Sequence, residues 1–479
     1  MDRLSNRPVE SPVRKTLRLE PLEERIAPSG GIEVIVSGGS LKITGDAGNN
    51  DFEIEPRLAA GEYSILSGGD ATLINGQAGP VVVSGVTKDV SIKLGDGDDS
   101  VLFDGINLPG NVKVDAGKGN DAFEIAFGSV AGNLGVSMGD GNGDIDIGNC
   151  TIGGKVDIKG ATGDDSVSLD IVTVNKGLSI MTGNGNLDAS ITDTSISTPG
   201  NGYDLKIVNG SGNVALNVDH VFVSRNFSHG QGPGHMSASF QDMMVQGNTQ
   251  LKSGEGNDTV TFASAQLYGK LGVMTGSGEL MMSVYNVSAG MSGKGCDAKI
   301  ANGNGIADVA IENASIGGSL SVSNGNGHAA ARVENVVVHK NCSYKSGDGA
   351  DQWMLIWTTV EGKTSVNTGS GGDYVILDAI RLKGSLSVNA GSGNDHVYAD
   401  AVYDYAPWHD TSIFEGPVSI ILGSGDDYLG VGVGTGADGG AYYSRVFANG
   451  GAGWDELDYK TGTNYFGVEP SSVGFEYEH

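Results

Sequence analysis

The chain has 479 residues with a formal net charge of −29, and it contains 79 glycines, 12 prolines and three cysteines. So acidic a protein is not expected to bind nucleic acid or anionic lipid, because like charges repel. Three cysteines give no disulfide framework, and no stretch is long and apolar enough to predict a membrane span.

Residues 1–31 differ from the rest of the chain. They begin with several basic residues and continue as LRLEPLEERIAPSGG, without the apolar core of a secretory signal. Leu19, Glu20 and Pro21, followed by Arg25, resemble the LEP-x-x-x-R motif at the N-terminus of large repeat proteins from planctomycete bacteria. The resemblance implies a targeting segment and export to the cell surface. The alternative is a disordered tail.

Residues 32–94 contain strand-like stretches without a fixed spacing, for example around Tyr63, Val81 and Val90. We interpret them as an N-terminal cap with about two irregular coils. A solenoid needs such an end, because an open strand edge would pair with another chain.

Residues 95–459 repeat a glycine-rich turn followed by an alternating strand. The second glycine of each turn, here called the reference glycine, recurs at a constant spacing that four longer intervals interrupt. The reference glycines are Gly97, Gly119, Gly141, Gly163, Gly185, Gly212, Gly234, Gly256, Gly278, Gly305, Gly327, Gly349, Gly371, Gly393, Gly425 and Gly453. The longer intervals predict insertions near 186–211, 279–304, 400–416 and 432–449.

Apolar pairs two residues apart follow each reference glycine. They occupy positions four and six, nine and eleven, and fifteen and seventeen, counted from that glycine. Two apart is the period of a strand, with both side chains on one face. Each repeat is therefore one coil of three short strands, and the sequence predicts an all-β, single-stranded parallel β-helix with about 22 residues per coil. Residues 460–479 lose the period and are interpreted as the C-terminal cap.

Position two after the reference glycine has the parity of the core positions, so its side chain is expected to point inward. It is aspartate in nine coils and apolar in most others. The aspartates are Asp99, Asp121, Asp165, Asp258, Asp351, Asp373, Asp395, Asp427 and Asp455. Stacked carboxylates about 4.8 Å apart repel each other by roughly 1 kcal/mol even in water, and calcium would remove that conflict.

These turns resemble the haemolysin-type (RTX) calcium repeat G-G-x-G-x-D-x-U-x, which residues 450–458 match in full. The family's motif recurs about every nine residues, but here it comes once per coil, so one corner alone would carry the ions. The resemblance implies calcium as the cofactor, between aspartates of adjacent coils. The alternative is that Asp and Asn close the turns by bonding their own backbone.

An enzyme is the second candidate function, because parallel β-helices include polysaccharide lyases and hydrolases. Such chemistry needs two carboxylates on one outer face. Position seven is acidic on neighbouring coils at Glu312 and Glu334 and again at Asp378 and Asp400. Exposed acidic ladders are also ordinary in so acidic a chain.

The last third of the chain adds bulky side chains at outward positions, notably Tyr374, Ile376, Tyr398 and Tyr428, and a loop, 403–409, that runs from Tyr403 to His409. An exposed apolar stripe often marks a contact surface, so we expect a polysaccharide or another surface protein as partner. The alternative is that the loop 400–416 or the C-terminal tail folds over the stripe. The prediction is an extracellular or surface-displayed calcium-binding β-solenoid with a structural or adhesive role. The alternative is a carbohydrate-active enzyme.

Overall fold

The computed structural model describes residues 30–68, 72–196, 204–290, 296–400, 411–432, 440–459 and 464–478. Each coil begins with a strand on face 1 and turns at the reference glycine, here called the glycine corner. It then runs along face 2, turns at a second corner into a two-residue strand on face 3, and returns to face 1 through a third corner.

Three long sheets form the three faces. Face 1 contains Gly31–Ser37, Ser40–Thr44, Leu73–Ile74, Val90–Asp96, Val112–Lys118, Leu134–Asp140, Val156–Thr162, Leu178–Met181, Leu205–Asn209, Phe227–Gln231, Thr249–Lys252, Leu271–Met274, Ala298–Ala301, Leu320–Ser323, Cys342–Lys345, Thr364–Asn367, Leu386–Ser392, Val418–Ser424, Val446–Ala452 and Ser471–Val473. Face 2 contains Asp51–Pro56, Tyr63–Ser67, Val81–Val83, Ser100–Asp104, Asp121–Ala126, Gly143–Gly148, Asp165–Asp170, Leu187–Thr192, Val214–Asp219, Met236–Gln241, Asp258–Ala263, Leu280–Tyr285, Ala307–Glu312, Ala329–Glu334, Gln352–Ile356, Tyr374–Asp378, His396–Ala399, Tyr428–Val431, Glu456–Tyr459 and Tyr477–Glu478. Face 3 contains Asn107–Leu108, Ser129–Val130, Thr151–Ile152, Thr173–Val174, Ser195–Ile196, Phe222–Val223, Met244–Val245, Gln266–Leu267, Ser288–Ala289, Ser315–Ile316, Val337–Val338, Thr359–Val360, Arg381–Leu382, Ile413–Phe414, Ala441–Tyr442 and Tyr465–Phe466. The described ranges include no helix, and hence none that could cross a membrane.

Strands of successive coils pair in parallel, in register with the repeat. Val112 pairs with Leu134 on face 1, Ala122 with Asp144 on face 2, and Val130 with Ile152 on face 3. In each pair the second residue holds the equivalent position of the next sequence repeat. The predicted single-stranded parallel β-helix, with one sequence repeat and three strands per coil, is confirmed.

The N-terminal end of the rod is built differently. Gly31–Ser37 pairs antiparallel with Ser40–Thr44, and Asp51–Pro56 pairs antiparallel with Tyr63–Ser67, which in turn pairs antiparallel with Val81–Val83. The first hairpin turns through Gly38 and Gly39, whose φ angles of 58° and 85° suit a tight two-residue loop. These hairpins lie within the segment 32–94 that we interpreted as a cap with irregular coils.

The longer coils keep their place in the stack. Leu178 pairs with Leu205 and Leu271 pairs with Ala298 on face 1, so the extra residues of these two coils come in sequence between the face 3 strand and the next face 1 strand. His396 pairs with Tyr428 on face 2, and the extra residues of that coil come in sequence between its face 2 and face 3 strands. The predicted loop 403–409 and most of the N-terminal segment, residues 1–29, lie outside the described residues.

The interior is a continuous apolar column. Along most strands the inward residues are buried and the outward ones are not, as in Val112–Lys118 and Asp121–Ala126. Each fully buried Val, Leu or Ile contributes about 1.5–3 kcal/mol. Aromatic rings stack between coils towards the C-terminus, where Phe414 and Tyr442 lie 4.5 Å apart between ring centroids. Every coil therefore depends on its neighbours for burial.

We predict that Gly393→Ala destabilises the rod by at least about 1–3 kcal/mol. Gly393 has a φ of +128°, and a Cβ there would lie 1.7 Å from the carbonyl oxygen of Gly371 on the preceding coil. Thermal unfolding followed by circular dichroism measures the loss. The control is Gly272→Ala on a face 1 strand, where a Cβ meets nothing within 4 Å. Equal stability of the two variants would contradict the role given to the glycine corner.

Candidate metal centre: the aspartates of the glycine corner

All nine predicted aspartates lie just after the glycine corner, at or next to the start of a face 2 strand, and point into the rod. Their exposed fractions are 0–5%. They point inward because side chains alternate between the two faces of a strand, and position two has the same parity as the buried positions four and six. The expectation that they point inward is confirmed.

One oxygen of each carboxylate bonds the main chain of the preceding coil. Oδ1 accepts the N–H of the residue at position two in that coil, at 2.7–3.1 Å. The N–H of Asp351, for example, donates to Asp373, and that of Asp373 donates to Asp395. The alternative in which each aspartate bonds its own turn is therefore wrong, because the carboxylates bond between coils.

The same N–H has another acceptor where the next coil lacks the aspartate. In such coils the main-chain N–H of Asp121 donates to the carbonyl oxygen of Asn142, and the main-chain N–H of Leu187 donates to that of Asn213, both at 2.9 Å. These carbonyls belong to position one of the next coil. The carboxylate thus replaces a main-chain acceptor for a buried donor, which cannot be left unpaired without a cost of about 1–3 kcal/mol.

A second polar position compensates for the coils without aspartate, and our sequence analysis missed it. It lies three residues before the reference glycine, on face 1. Asn209, Gln231 and Asn324 occupy it, and their side-chain amides donate to carbonyl oxygens of the corner at 2.7–3.1 Å. The six coils with an apolar position two all have Thr, Asn or Gln here: Thr182, Asn209, Gln231, Thr275, Asn302 and Asn324. This relation can be read from the sequence, but only by comparing position two with the position three residues before the reference glycine in every coil.

The other carboxylate oxygen, Oδ2, is buried in all nine aspartates and has no hydrogen-bond partner among the described residues. Burial is the largest influence on the pKa of these carboxyls. It raises the pKa of Asp121, Asp165, Asp258 and Asp351 to about 6 and that of Asp395 to about 7. The pKa of Asp99, Asp373, Asp427 and Asp455 is raised as well, again by burial. A proton or a cation at Oδ2 would remove the cost of the buried charge.

The aspartates differ in their neighbours. Asp351, Asp373, Asp395, Asp427 and Asp455, here called the C-terminal series, occupy five successive coils. Glu476 continues the series, since its Oε2 accepts the N–H of Asp455 at 2.8 Å. Asp99 and Asp121 form one adjacent pair, whereas Asp165 and Asp258 have no aspartate at this position in either neighbouring coil. Only adjacent aspartates offer two carboxylates to one ion.

The described residues contain one group of three acidic or histidine side chains whose potential metal-binding atoms lie within 4.8 Å of one another, and it is not part of the aspartate series. His220 Nδ1 lies 2.8 Å from Asp219 Oδ1, and His220 Nε2 lies 3.8 Å from Asp242 Oδ2, on the outer surface of the second corner. His220 and Asp242 share position eight of adjacent coils, so the spacing could have revealed them. The contacts are those of exposed ion pairs, which add little stability.

Two of the four carboxylates of the enzyme alternative, Glu334 and Asp400, have structural partners. Glu312 and Glu334 lie side by side on adjacent strands, and Glu334 forms an ion pair with Arg332. Asp400 is 5% exposed, and its Oδ1 accepts the N–H of Ser412 at 3.0 Å. Asp378, on the preceding coil, is partly buried. Asp400 thus serves the second corner as an acceptor for a main-chain N–H.

The aromatic stripe on face 2 is only partly exposed. Ile376 is 6% exposed and so is not a surface contact residue, which corrects the expectation. Tyr374, 42% exposed, stacks on His396 with ring centroids 4.7 Å apart and planes 5° apart. Tyr398 and Tyr428 lie 5.5 Å apart at a tilt. Rings that stack on each other present mainly their edges to the outside.

These features define a parallel β-solenoid whose glycine corner is lined inside by carboxylates. No family model matches the chain, and no curated protein or solved structure matches it either. The resemblances to RTX repeats and to the planctomycete N-terminal motif therefore stay predictions.

We predict that Asp165→Asn stabilises the rod at pH 8 and has little effect near pH 3.5. The unfolded carboxyl takes up its proton near pH 3.8, but the folded one does so near pH 6. The contribution of Asp165 to stability is therefore highest below pH 3.8 and is lost as the pH rises through 6, a change of about 2–3 kcal/mol. Asparagine keeps an acceptor for the N–H of Gly143 and carries no charge.

Thermal unfolding in chelator at a series of pH values measures the difference between the two proteins. Asp165→Ala is the matched comparison, because it also removes the acceptor for the N–H of Gly143. It should be less stable than the asparagine variant at every pH, by about 1–3 kcal/mol. If the stability difference between the wild type and the asparagine variant did not change with pH, the conclusion that Asp165 carries a destabilising buried charge at high pH would be wrong.

Proposed function

We propose that the protein is an exported or surface-displayed structural β-solenoid that binds calcium at the C-terminal series of aspartates and serves in adhesion. The observation that carries the proposal is the row of five buried carboxylates on successive coils, each with one oxygen that lacks a hydrogen-bond partner among the described residues.

Charge favours a divalent cation over a purely polar interior. A buried carboxylate without a partner is costly, and two of them on adjacent coils repel each other in addition. One calcium ion between two coils neutralises two charges and takes oxygen ligands with flexible geometry. Asp351, Asp373, Asp395, Asp427 and Asp455 would supply the carboxylates, and main-chain carbonyls of the corner would supply the other oxygens.

The isolated aspartates are the weaker part of the calcium prediction. Asp165 and Asp258 have the same inter-coil hydrogen bond and the same unpaired Oδ2 as the C-terminal series, but each offers one carboxylate alone. We therefore propose calcium for the C-terminal series and for the pair Asp99 and Asp121, and a structural role alone for Asp165 and Asp258.

A structural role is favoured over an enzymatic one by what surrounds the outer carboxylates. Asp400 is buried and accepts a main-chain hydrogen bond, and Glu334 is paired with Arg332. Tyr374, Tyr398 and Tyr428 provide the surface that we propose for adhesion, in contact with a polysaccharide or another surface protein. An extracellular setting agrees with this proposal, because calcium is plentiful there.

The test compares thermal unfolding in calcium and in chelator at pH 7.5 for the wild type and for Asp373→Asn combined with Asp395→Asn. We expect calcium to stabilise the wild type, by about 2.7 kcal/mol at a concentration 100 times the dissociation constant. The double variant should lose most of this effect, because it keeps the hydrogen-bond acceptors and loses two charges.

The matched control is Asp165→Asn, which removes an equally buried but solitary carboxylate and should keep the full response to calcium. Magnesium serves as the second ion, because it demands a stricter octahedral geometry and dehydrates reluctantly. An identical melting temperature of the wild type in calcium and in chelator would overturn the proposal.

A further inference from the structure

One inward column on face 1 is apolar on nearly every coil and contains a single histidine. The column lies five residues before each reference glycine, which is position seventeen in a coil of regular length, at the centre of the face 1 strands. Its members are Ile92, Val114, Val136, Ile158, Ile180, Ile207, His229, Leu251, Val273, Ile300, Val322, Tyr344, Val366, Val388, Ile420 and Ala448. His229 is therefore an ionisable group in a place where the fold requires a hydrophobic one.

The surroundings of His229 offer almost nothing to a charged ring. The side chain is 2% exposed, and neither ring nitrogen has a hydrogen-bond partner by distance and angle among the described residues. Ile207 and Leu251 flank it in register on the neighbouring coils. Across the interior lie Ala238 and Phe240 of the same coil, both buried.

Few titratable groups face His229. The inward side chains of the neighbouring face 1 strands Leu205–Asn209 and Thr249–Lys252 are not titratable, and neither are those of Met236–Gln241 across the interior. Gln231, on its own strand, is the polar neighbour that acts on it. On the face 2 strand of the next coil, Asp258 is the one titratable inward group, and it already accepts hydrogen bonds from Met236 and Ser253.

We propose that His229 makes the coil 227–245 an acid-labile point of the rod, where the stack opens when the pH falls. An imidazolium in this column has no counter-charge beside it and no water around it, so the coil must open before the ring can be hydrated. Neighbouring coils contact only each other. Opening one coil therefore separates the rod into two stacks that each keep their own core.

The direction of the effect follows from linkage. Burial lowers the pKa of His229 from 6.5 to about 4. The folded rod holds the neutral ring, so its stability at this coil is complete above pH 6.5 and is lost as the pH falls towards 4. At pH 5 the opening equilibrium should exceed that at pH 8 by about 30-fold, because the opened coil binds the proton at its ordinary pKa. The buried aspartates, including Asp258 beside this coil, change stability in the opposite direction, so the 30-fold factor belongs to His229 alone and is measured against a variant without the histidine.

Hydrogen exchange of the full-length protein, followed by mass spectrometry, tests the proposal. The comparison is between wild type and His229→Leu, at pH 8 and pH 5, in peptides covering Leu205–Asn209, Phe227–Gln231 and Thr249–Lys252. Leucine already occupies the same position in the next coil as Leu251. Comparing the two proteins at the same pH cancels the intrinsic pH dependence of exchange. At each pH we take the ratio of the exchange rate in the wild type to that in the variant. We expect this ratio to be about 30-fold higher at pH 5 than at pH 8.

Two controls keep the result specific. The first is His220→Asn, which replaces an exposed histidine of the preceding coil. Asparagine is found at the equivalent position of two other coils, as Asn286 and Asn313, so this variant should behave like the wild type. The second is a set of peptides from Val156–Thr162, in which the ratio of exchange rates between wild type and His229→Leu should be the same at both pH values. If the leucine variant does not fold, His229→Val replaces it, since valine is common in this column.

A wild-type to variant ratio that is the same at pH 5 and pH 8 would overturn the proposal. A pH-dependent ratio spread evenly over the whole rod would overturn it too, because it would show that His229 acts on global stability and not on this coil.

Discussion

The structure depends on one constraint at the glycine corner: a buried main-chain N–H at position two must find an acceptor on the next coil. Two acceptors meet this need, a carboxylate oxygen or a carbonyl oxygen of the following turn. The first choice places an aspartate in the rod, and in six of the seven other coils the second comes with an apolar position two and an amide or hydroxyl three residues before the glycine. The polar content of the interior follows from this choice.

Much of the fold could be predicted because it repeats. The apolar pairs and the reference glycines define three strands per coil, and the parity of position two predicts that Asp373 and its equivalents point inward. The N-terminal hairpins could not be predicted in this way, because residues 32–94 lack the period and Gly38 and Gly39 set the pairing locally. Alternation placed the side chain of Ile376 outside, and its burial could be anticipated only as cover of this face by another segment.

The candidate site was predicted only in part, for a physical reason. The partner of each aspartate lies one coil away and depends on which residue the next coil has at the same position, so inspection of one turn cannot identify it. Asp400 illustrates the same limit, because its acceptor role at the second corner involves Ser412, beyond the inserted residues. His229 was visible at position seventeen, but only a comparison of that column across all coils singles it out.

The antiparallel hairpins at the N-terminal end also bear on how such a rod acquires its structure. Closing the loop between Ser37 and Ser40 orders only Gly38 and Gly39, whereas closing any later coil orders a whole sequence repeat before the first inter-coil bond forms. The entropy of closure is therefore smallest at this end, and each finished coil supplies a template edge for the next one. Growth of ordered structure from this end, in the direction of synthesis, therefore begins with the smallest entropic cost.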